Sequence, residues 1–321
     1  MVSICCLVYN HEKYLRQCLD GFLMQKTNFK FEVLIHDDAS TDGSADIIRE
    51  YEKKYPDIIK PIYQKENQYS KGVKISWTFQ YPRAKGKYIA LCEGDDFWTS
   101  PYKLQRQFDY MQTNKNVGIC VHQVARYSMK SKLFSFQTNQ FIDRDYSVDE
   151  VILGGGGLFG TNSYFLRTKD LLAMPSCFYM KEMGDFQLVV YGTICGGCHF
   201  IKEVMSCYRT DVRSSFTDRH KNDLELRIEF CKNKLDMLDR VNEYYGKKYD
   251  NSIRQNASVT EYYLKMYLNE KNGSIVSSQV SNSKSIKQKI KQWFPIVSKI
   301  KQRITSNKVE KELKEALKPN I

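Results

Sequence analysis

The sequence predicts an α/β fold, a mostly parallel central sheet followed by an α-helical C-terminal extension. Three observations predict it. Short apolar runs alternate with helix-periodic stretches through the first third, acidic clusters directly follow two of those runs, and from Lys221 onward the pattern is helical almost without interruption. Alternation of this kind builds right-handed βαβ crossovers and therefore parallel neighbours.

Residues 2–9 and 31–36 are short runs rich in β-branched or aromatic side chains, readable as buried strands. Between them Tyr14, Leu15, Cys18, Leu19, Phe22 and Leu23 recur at helical spacing. Asp42 is expected to open a second helix with Ile47, Ile48, Tyr51 and Tyr55 on one face. A third strand is read at 58–63, a weakly helical stretch at 70–83 and a fourth strand at 87–92. This third of the chain has the form of a nucleotide-binding half. A helix at 102–113, a strand at 117–124 and a hairpin near 131–137 follow. Gly154 to Gly157, four glycines in a row, are too flexible for the interior of an element. A helix at 185–194 and a strand at 199–205 precede the helical remainder. The boundary is placed near Asp218, dividing the chain into 1–218 and 219–321.

Composition narrows the class. Hydrophobic residues at 42% and aromatics at 13% suffice for a sizeable core, which excludes a disordered or low-complexity chain. No run approaches the ~18 consecutive apolar residues of a membrane-spanning helix. The apolar N-terminal run is too short and wrongly flanked for a signal peptide. The expected location is cytoplasmic, so the ten cysteines read as reduced thiols rather than a disulfide frame. Of the formal charge of +12, residues 281–321 hold +8, as eleven Lys/Arg against three Glu, which leaves +4 for the rest. The basicity belongs to the tail.

Chemistry concentrates in Glu93-Gly94-Asp95-Asp96-Phe97-Trp98, directly after the fourth strand. Three carboxylates in four residues repel one another, and a divalent cation offsets that cost; hard oxygen ligands suit Mg²⁺ or Mn²⁺. The carboxyl end of a parallel sheet is where open α/β folds bind ligands. The plainer alternative is a solvated acidic loop with a helix-capping Asp. A second cluster, Asp37-Asp38-Ala39-Ser40-Thr41-Asp42-Gly43-Ser44, reads first as a turn with Thr41 or Asp42 capping a helix. Its carboxylates also suit the NH and OH donors of a base or ribose.

Residues 2–15, the Asp37-to-Ser44 segment, and Ala84-Lys85-Gly86-Lys87-Tyr88-Ile89 leading into Glu93 to Trp98 together resemble family-2 glycosyltransferases of the GT-A fold, a Rossmann-like architecture. The motifs fall in the family's order over about residues 1–110, with weaker similarity to about 215. The resemblance implies a metal-dependent, inverting transferase of bacterial surface-glycan type that uses a nucleotide-sugar donor. By the same resemblance, Leu7 and Tyr9 pack on the base and Asp38 accepts from it, usually uracil. Asp95 and Asp96 bind ribose and Mn²⁺ or Mg²⁺, with Asp96 the first choice for the metal. Glu93 stands where Asp is more usual. Asp185, in Lys181-Glu182-Met183-Gly184-Asp185, matches the catalytic base, and an inverting transfer does need a group to take the acceptor hydroxyl's proton. Capping of a helix is the other reading of Asp185. Relatives carry a Tyr-Arg pair followed by a His near the diphosphate; here Tyr208-Arg209 is followed by Asp211. Arg209 and Arg213 can still clamp a diphosphate, leaving a third metal ligand open.

Cys195-Gly196-Gly197-Cys198-His199 matches a haem-attachment pattern by letter, but the helix-to-strand change there accounts for both glycines. The segment 146–161 lies where relatives form the acceptor side of the cleft, and it reads as a closing loop or an idle one. In the tail, Ile286, Ile290, Trp293, Phe294, Val297, Ile300 and Ile304 share a helical face with lysines around it, and Pro295 forces a kink or restart. Residues 284–304 therefore suit an anionic membrane surface or packing on the domain, and no nucleic-acid recognition motif accompanies the charge. The expected partners are a nucleotide-sugar donor and a glycan or lipid-linked acceptor, at the inner face of the plasma membrane. A nucleotidyltransferase or a non-catalytic nucleotide-binding module are the alternatives. The former would want a Gly/Arg/Lys-rich loop where Asn10-His11-Glu12 stands.

Overall fold

Strand β1 (Val2–Val8) alternates Val2, Ile4, Cys6 and Val8 toward one face of the sheet and Ser3, Cys5 and Leu7 toward the other, and nearly all are buried. That double burial is the signature of a central parallel strand covered on both sides. The computed structural model describes residues 1–180, 184–212 and 215–272. Arg213, residues 181–183 ahead of Asp185, and the basic stretch 284–304 lie outside the described residues.

The chain runs β1, α1 (Glu12–Leu23), β2 (Phe31–Asp37), α2 (Ser44–Lys54), β3 (Ile59–Tyr63), a π-helical turn Ser76–Gln80 with a 3₁₀ turn Tyr81–Arg83, β4 (Tyr88–Leu91), β5 (Phe97–Trp98), α3 (Lys103–Thr113), β6 (Ile119–Ser128), β7 (Phe134–Phe136) and β8 (Arg144–Tyr146). It continues through α4 (Val148–Gly154), β9 (Phe165–Arg167), α5 (Thr168–Leu172), α6 (Asp185–Ile194), β10 (Cys198–Thr210), α7 (Phe216–Asn222), α8 (Leu224–Tyr244) and α9 (Asp250–Lys271). The sheet order is β3-β2-β1-β4-β9-β6-β10-β5, with β7 on β6 and β8 on β10. The β1, β2, β3 and β4 pairs are parallel, as is β6 with β10. Strand β9 runs antiparallel between β4 and β6.

Periodicity located the longer elements to within a few residues. Asp42 does not itself open α2: the helix starts at Ser44 and Asp42 accepts the Ser44 N–H at 2.9 Å from two residues upstream. The weakly helical stretch is the π and 3₁₀ pair. The Gly196–Gly197 turn takes φ of 158° and 96°, which is why glycines stand between α6 and β10.

Two apolar layers sandwich the sheet. On one side Leu15, Cys18, Leu19 and Phe22 of α1, Ile47 and Ile48 of α2, and Leu104 and Met111 of α3 pack on Val2, Ile4, Val33 and Ile35. On the other, Val151 and Ile152 of α4 and Val189 and Val190 of α6 cover Cys5, Leu34, Ile89 and Val121. Met237, Leu238 and Val241 of α8 and Ile253 of α9 join this second layer. At roughly 1.5–3 kcal/mol per fully buried aliphatic side chain, the C-terminal helices contribute to the core of the α/β part. Residue 218 itself falls inside α7.

Candidate active site

The carboxyl ends of β1, β2 and β4 lie side by side at one edge of the sheet, and main-chain bonds lock them together. Asp38 N–H donates to Val8 O at 2.9 Å and Gly94 N–H to Leu7 O at 2.9 Å. The loops after β1 and β2 are stitched side chain to main chain. Asn10 Oδ1 accepts the Thr41 N–H at 2.7 Å, the Asn10 and His11 amides donate to the Ser40 and Ser44 hydroxyls, and Glu12 N–H donates to Asp42. Asn10 and Ala39 hold φ near 60°, so both loops turn sharply back on each other. Leu7 is half-buried and Tyr9 is exposed, at the rim.

Asp38 is 3% exposed. Its two carboxylate oxygens accept the Gln68 and Tyr69 N–H groups at 2.7 and 3.0 Å, and His36 Nε2 lies 3.6 Å away. Burial raises its pKa, but His36 and the two amides outweigh that and hold the carboxyl below its ordinary value. Asp38 thus fixes the loop after β3 at the edge of the cleft.

The acidic turn after β4 divides its labour. Asp96 is 2% exposed and faces inward: Oδ1 accepts the Arg209 N–H at 2.8 Å and Oδ2 accepts Asn162 Nδ2 at 3.0 Å. Asn162, fully buried, accepts in turn from Ser206 Oγ at 3.0 Å and, through its carbonyl, from Trp98 Nε1 at 3.2 Å. The Asp95 carboxylate, by contrast, takes no hydrogen bond from a described side chain, and His11 Nε2 lies 4.0 Å from its Oδ2. Of the two, Asp95 thus has the freer carboxylate, whereas both oxygens of Asp96, the expected first choice for a metal, accept hydrogen bonds within the protein. No group of three His, Cys, Asp or Glu side chains able to hold a metal occurs among the described residues. Gly94 is required by close approach: a Cβ there would lie 2.8 Å from His11 Nδ1 and 3.0 Å from Val8 Cγ2.

Glu93 is exposed, and the Cys18 and Cys92 thiols donate to its carbonyl from below. Desolvation by the cleft walls, and then the charges of Asp95 and Asp185, push its carboxyl up to about 8. Because the side chain reaches solvent, the charge repulsion is the firmer of the two causes. Asp185 is the first residue of α6, behind the Gly184 cap, so it is not itself the capping residue. Burial pushes its carboxyl up to about 6 against the Thr161 hydroxyl and its own amide. A carboxylate held near neutrality across a cleft from an acidic turn is suited to proton transfer.

Arg209, expected at the diphosphate, is 6% exposed and turned into the protein. Its guanidinium donates to the Asp95 carbonyl and to Gln17 Oε1, and lies over the Tyr14 and Phe97 rings at 5.0 and 4.5 Å. It braces the acidic turn from behind. Asp211 bonds Ser128 Oγ at 2.7 Å at the far end of β6. Sequence reasoning missed Asn162, Ser206, His11 and Tyr69, because nothing local marks an asparagine in a 3₁₀ turn as the partner of a carboxylate 66 residues away.

Residues 3–172 match the family described as Glycosyl transferase family 2. The chain belongs to that family. An uncharacterized Mycobacterium tuberculosis protein is 36% identical over 225 residues, which cover 68% of this chain and 63% of that protein. The chain thus matches less than two thirds of that relative's length. A poly(ribitol-phosphate) beta-glucosyltransferase of Bacillus spizizenii is 32% identical over 116 residues, 36% of this chain and 18% of that enzyme. Among solved structures, S. aureus TarS residues 1–349 in complex with UDP-GlcNAc superimposes with a TM-score of 0.56 at 14% identity, covering 98% of this chain and 79% of that one. At that identity the likeness is one of fold, the GT-A arrangement of a mostly parallel sheet. No described helix is long and apolar enough to cross a membrane.

Proposed function

We propose that the chain transfers a hexosyl unit, with inversion, from a UDP-sugar to a surface-type glycan or its lipid-linked precursor, with Asp185 as general base. The observation that carries this reading is the opposition of Asp185, its carboxyl poised near 6, to the Glu93–Asp96 turn at the carboxyl ends of β1 and β4. Support for the donor comes from the UDP-GlcNAc complex of the structural neighbour, and for the acceptor from the relative that glucosylates poly(ribitol-phosphate).

Asp185 takes the proton of the attacking acceptor hydroxyl. The Leu7–Tyr9 rim and the loop that Asp38 anchors hold the base, and exclusion of water there protects the donor from hydrolysis. Mg²⁺ and Mn²⁺ are commonly held by one or two carboxylates plus substrate phosphates, and Asp95, whose carboxylate has only His11 Nε2 beside it at 4.0 Å, fits that mode beside Glu93. When bound, such an ion offsets the charge that builds on the leaving diphosphate. Residues 284–304 belong to the proposal as a contact with an anionic membrane surface. The decisive experiment follows UDP release from a panel of UDP-sugars with Mn²⁺, for wild type and Asp185→Asn. Turnover by wild type and its loss in the variant, with UDP binding kept, is the expected result. Turnover unaffected by Asp185→Asn would overturn the assignment of the base.

A further inference from the structure

We propose that Arg219 is a diphosphate-binding residue of the donor site, carried on α7 as a bridge across the cleft mouth. This rests on the reading of the cleft as a nucleotide-sugar site.

The bridge has two fixed ends. At the β2 side, Tyr69 is held by its N–H on the buried Asp38 carboxylate at 3.0 Å, and Asp38 is itself bonded to Val8 O. At the other side, β10 is tied to the acidic turn through Arg209 N–H and Asp96, and α7 follows it in the chain. Ser215 caps α7 by accepting the Asp218 N–H at 3.2 Å, and Thr217 Oγ1 lies 3.2 Å from the Tyr208 hydroxyl, holding the helix back against β10. From α7 the Arg219 guanidinium reaches across to lie over the Tyr69 ring at 4.6 Å. The helix that leaves beside Asp96 thereby touches the loop that Asp38 anchors, and the nucleotide site lies between those two carboxylates.

Charge makes the position consequential. Glu93, Asp95 and Asp185 line an acidic floor that repels a diphosphate. Arg209 has its guanidinium turned inward, so it does not offset that repulsion at the surface of the cleft. Arg219 is exposed and makes no ion pair with a described residue. Stacking on Tyr69 orders the planar guanidinium without using up its fork of N–H donors, which matches phosphate oxygens two at a time.

The test compares UDP with uridine by titration calorimetry in Mn²⁺, on wild type, Arg219→Gln and Arg219→Lys. Because the side chain is exposed, unchanged thermal midpoints are expected and serve as the folding control. Arg219→Gln should weaken UDP by about tenfold or more and leave uridine unchanged; Arg219→Lys should recover part of the loss. Equal weakening of UDP and uridine, or none of either, overturns the role of Arg219 while the nucleotide site stands. Absence of UDP binding in the wild type removes the donor reading and this inference with it.

Discussion

Oδ1 of Asp96 accepts the backbone N–H of Arg209 at 2.8 Å, joining residues 113 positions apart in the chain. The bond makes the acidic turn a corner of the sheet rather than a loose loop, since Arg209 lies within β10 and its guanidinium returns to the Asp95 carbonyl. Asn162 completes the corner from the other side. Asn162→Ala leaves the second Asp96 oxygen and Ser206 Oγ without partners in a buried place, and should cost about 1–3 kcal/mol of stability. Chemical denaturation measures the loss. A cost under about 0.5 kcal/mol, the scale of an ordinary surface substitution, would mean that the corner is held elsewhere.

Asp185 must be ionised to accept a proton, and burial sets its carboxyl at about 6. The kcat/KM of donor turnover should therefore rise with pH through about 6 and level above it, the limb reporting the base of the free enzyme. Asp185→Asn should lower kcat by about 10²–10⁴, the usual contribution of a general base, and abolish that limb. A limb that persists in the variant would assign it to another group.

Lys103 is fully buried, with Nζ donating to Gln107 Oε1 at 2.8 Å and lying 4.1 Å from the Trp98 ring centroid. Desolvation pushes its pKa down to about 7. Its folded-state pKa thus lies below the unfolded value, so between about 7 and 10.5 the unfolded chain binds the extra proton and folding weakens as pH falls through that window. The difference in denaturant midpoint between wild type and Lys103→Met should shift in favour of wild type from pH 7 to 9.5, since the buried cysteines, whose raised pKa values weaken folding over the same window, titrate alike in both. Parallel slopes in the two proteins would place the titration elsewhere.

Gly94→Ala should displace His11 and Val8, whose atoms stand 2.8 and 3.0 Å from the added Cβ. We expect a loss of about 1–3 kcal/mol, typical of overpacking, together with weaker UDP binding, because the Leu7–Gly94 bond ties the rim to the acidic turn. Thermal unfolding and calorimetry read the two effects. A change in stability without a change in affinity would show that the rim adjusts independently.

What was legible in the sequence was local. β1, β2 and β4 announced themselves because each is a short, mostly apolar run, and the two acidic clusters stood out because each follows such a run directly. Asp185 could be placed at a helix start because α6 has a clear apolar pattern. The directions of Asp96 and Arg209 could not be read, because inward and outward rotamers of one motif have the same letters. Tyr69 and Arg219 meet only through tertiary structure. Strands β5 and β9 are two and three residues long, below any periodicity, and they supply antiparallel pairs at β10, β4 and β6.

The place of β9 between β4 and β6 also bears on how the chain comes together as it leaves the ribosome. β1, β2, β3 and β4 can assemble in order of synthesis, but the free flank of β4 has no mate until residues 165–167 emerge, and β10 arrives later still to close β6. A nascent chain halted between α3 and β9 therefore presents an open, fully apolar strand edge, the kind of surface that invites wrong pairing. The three-residue strand Phe165–Arg167 is the stitch that turns two half-sheets into one.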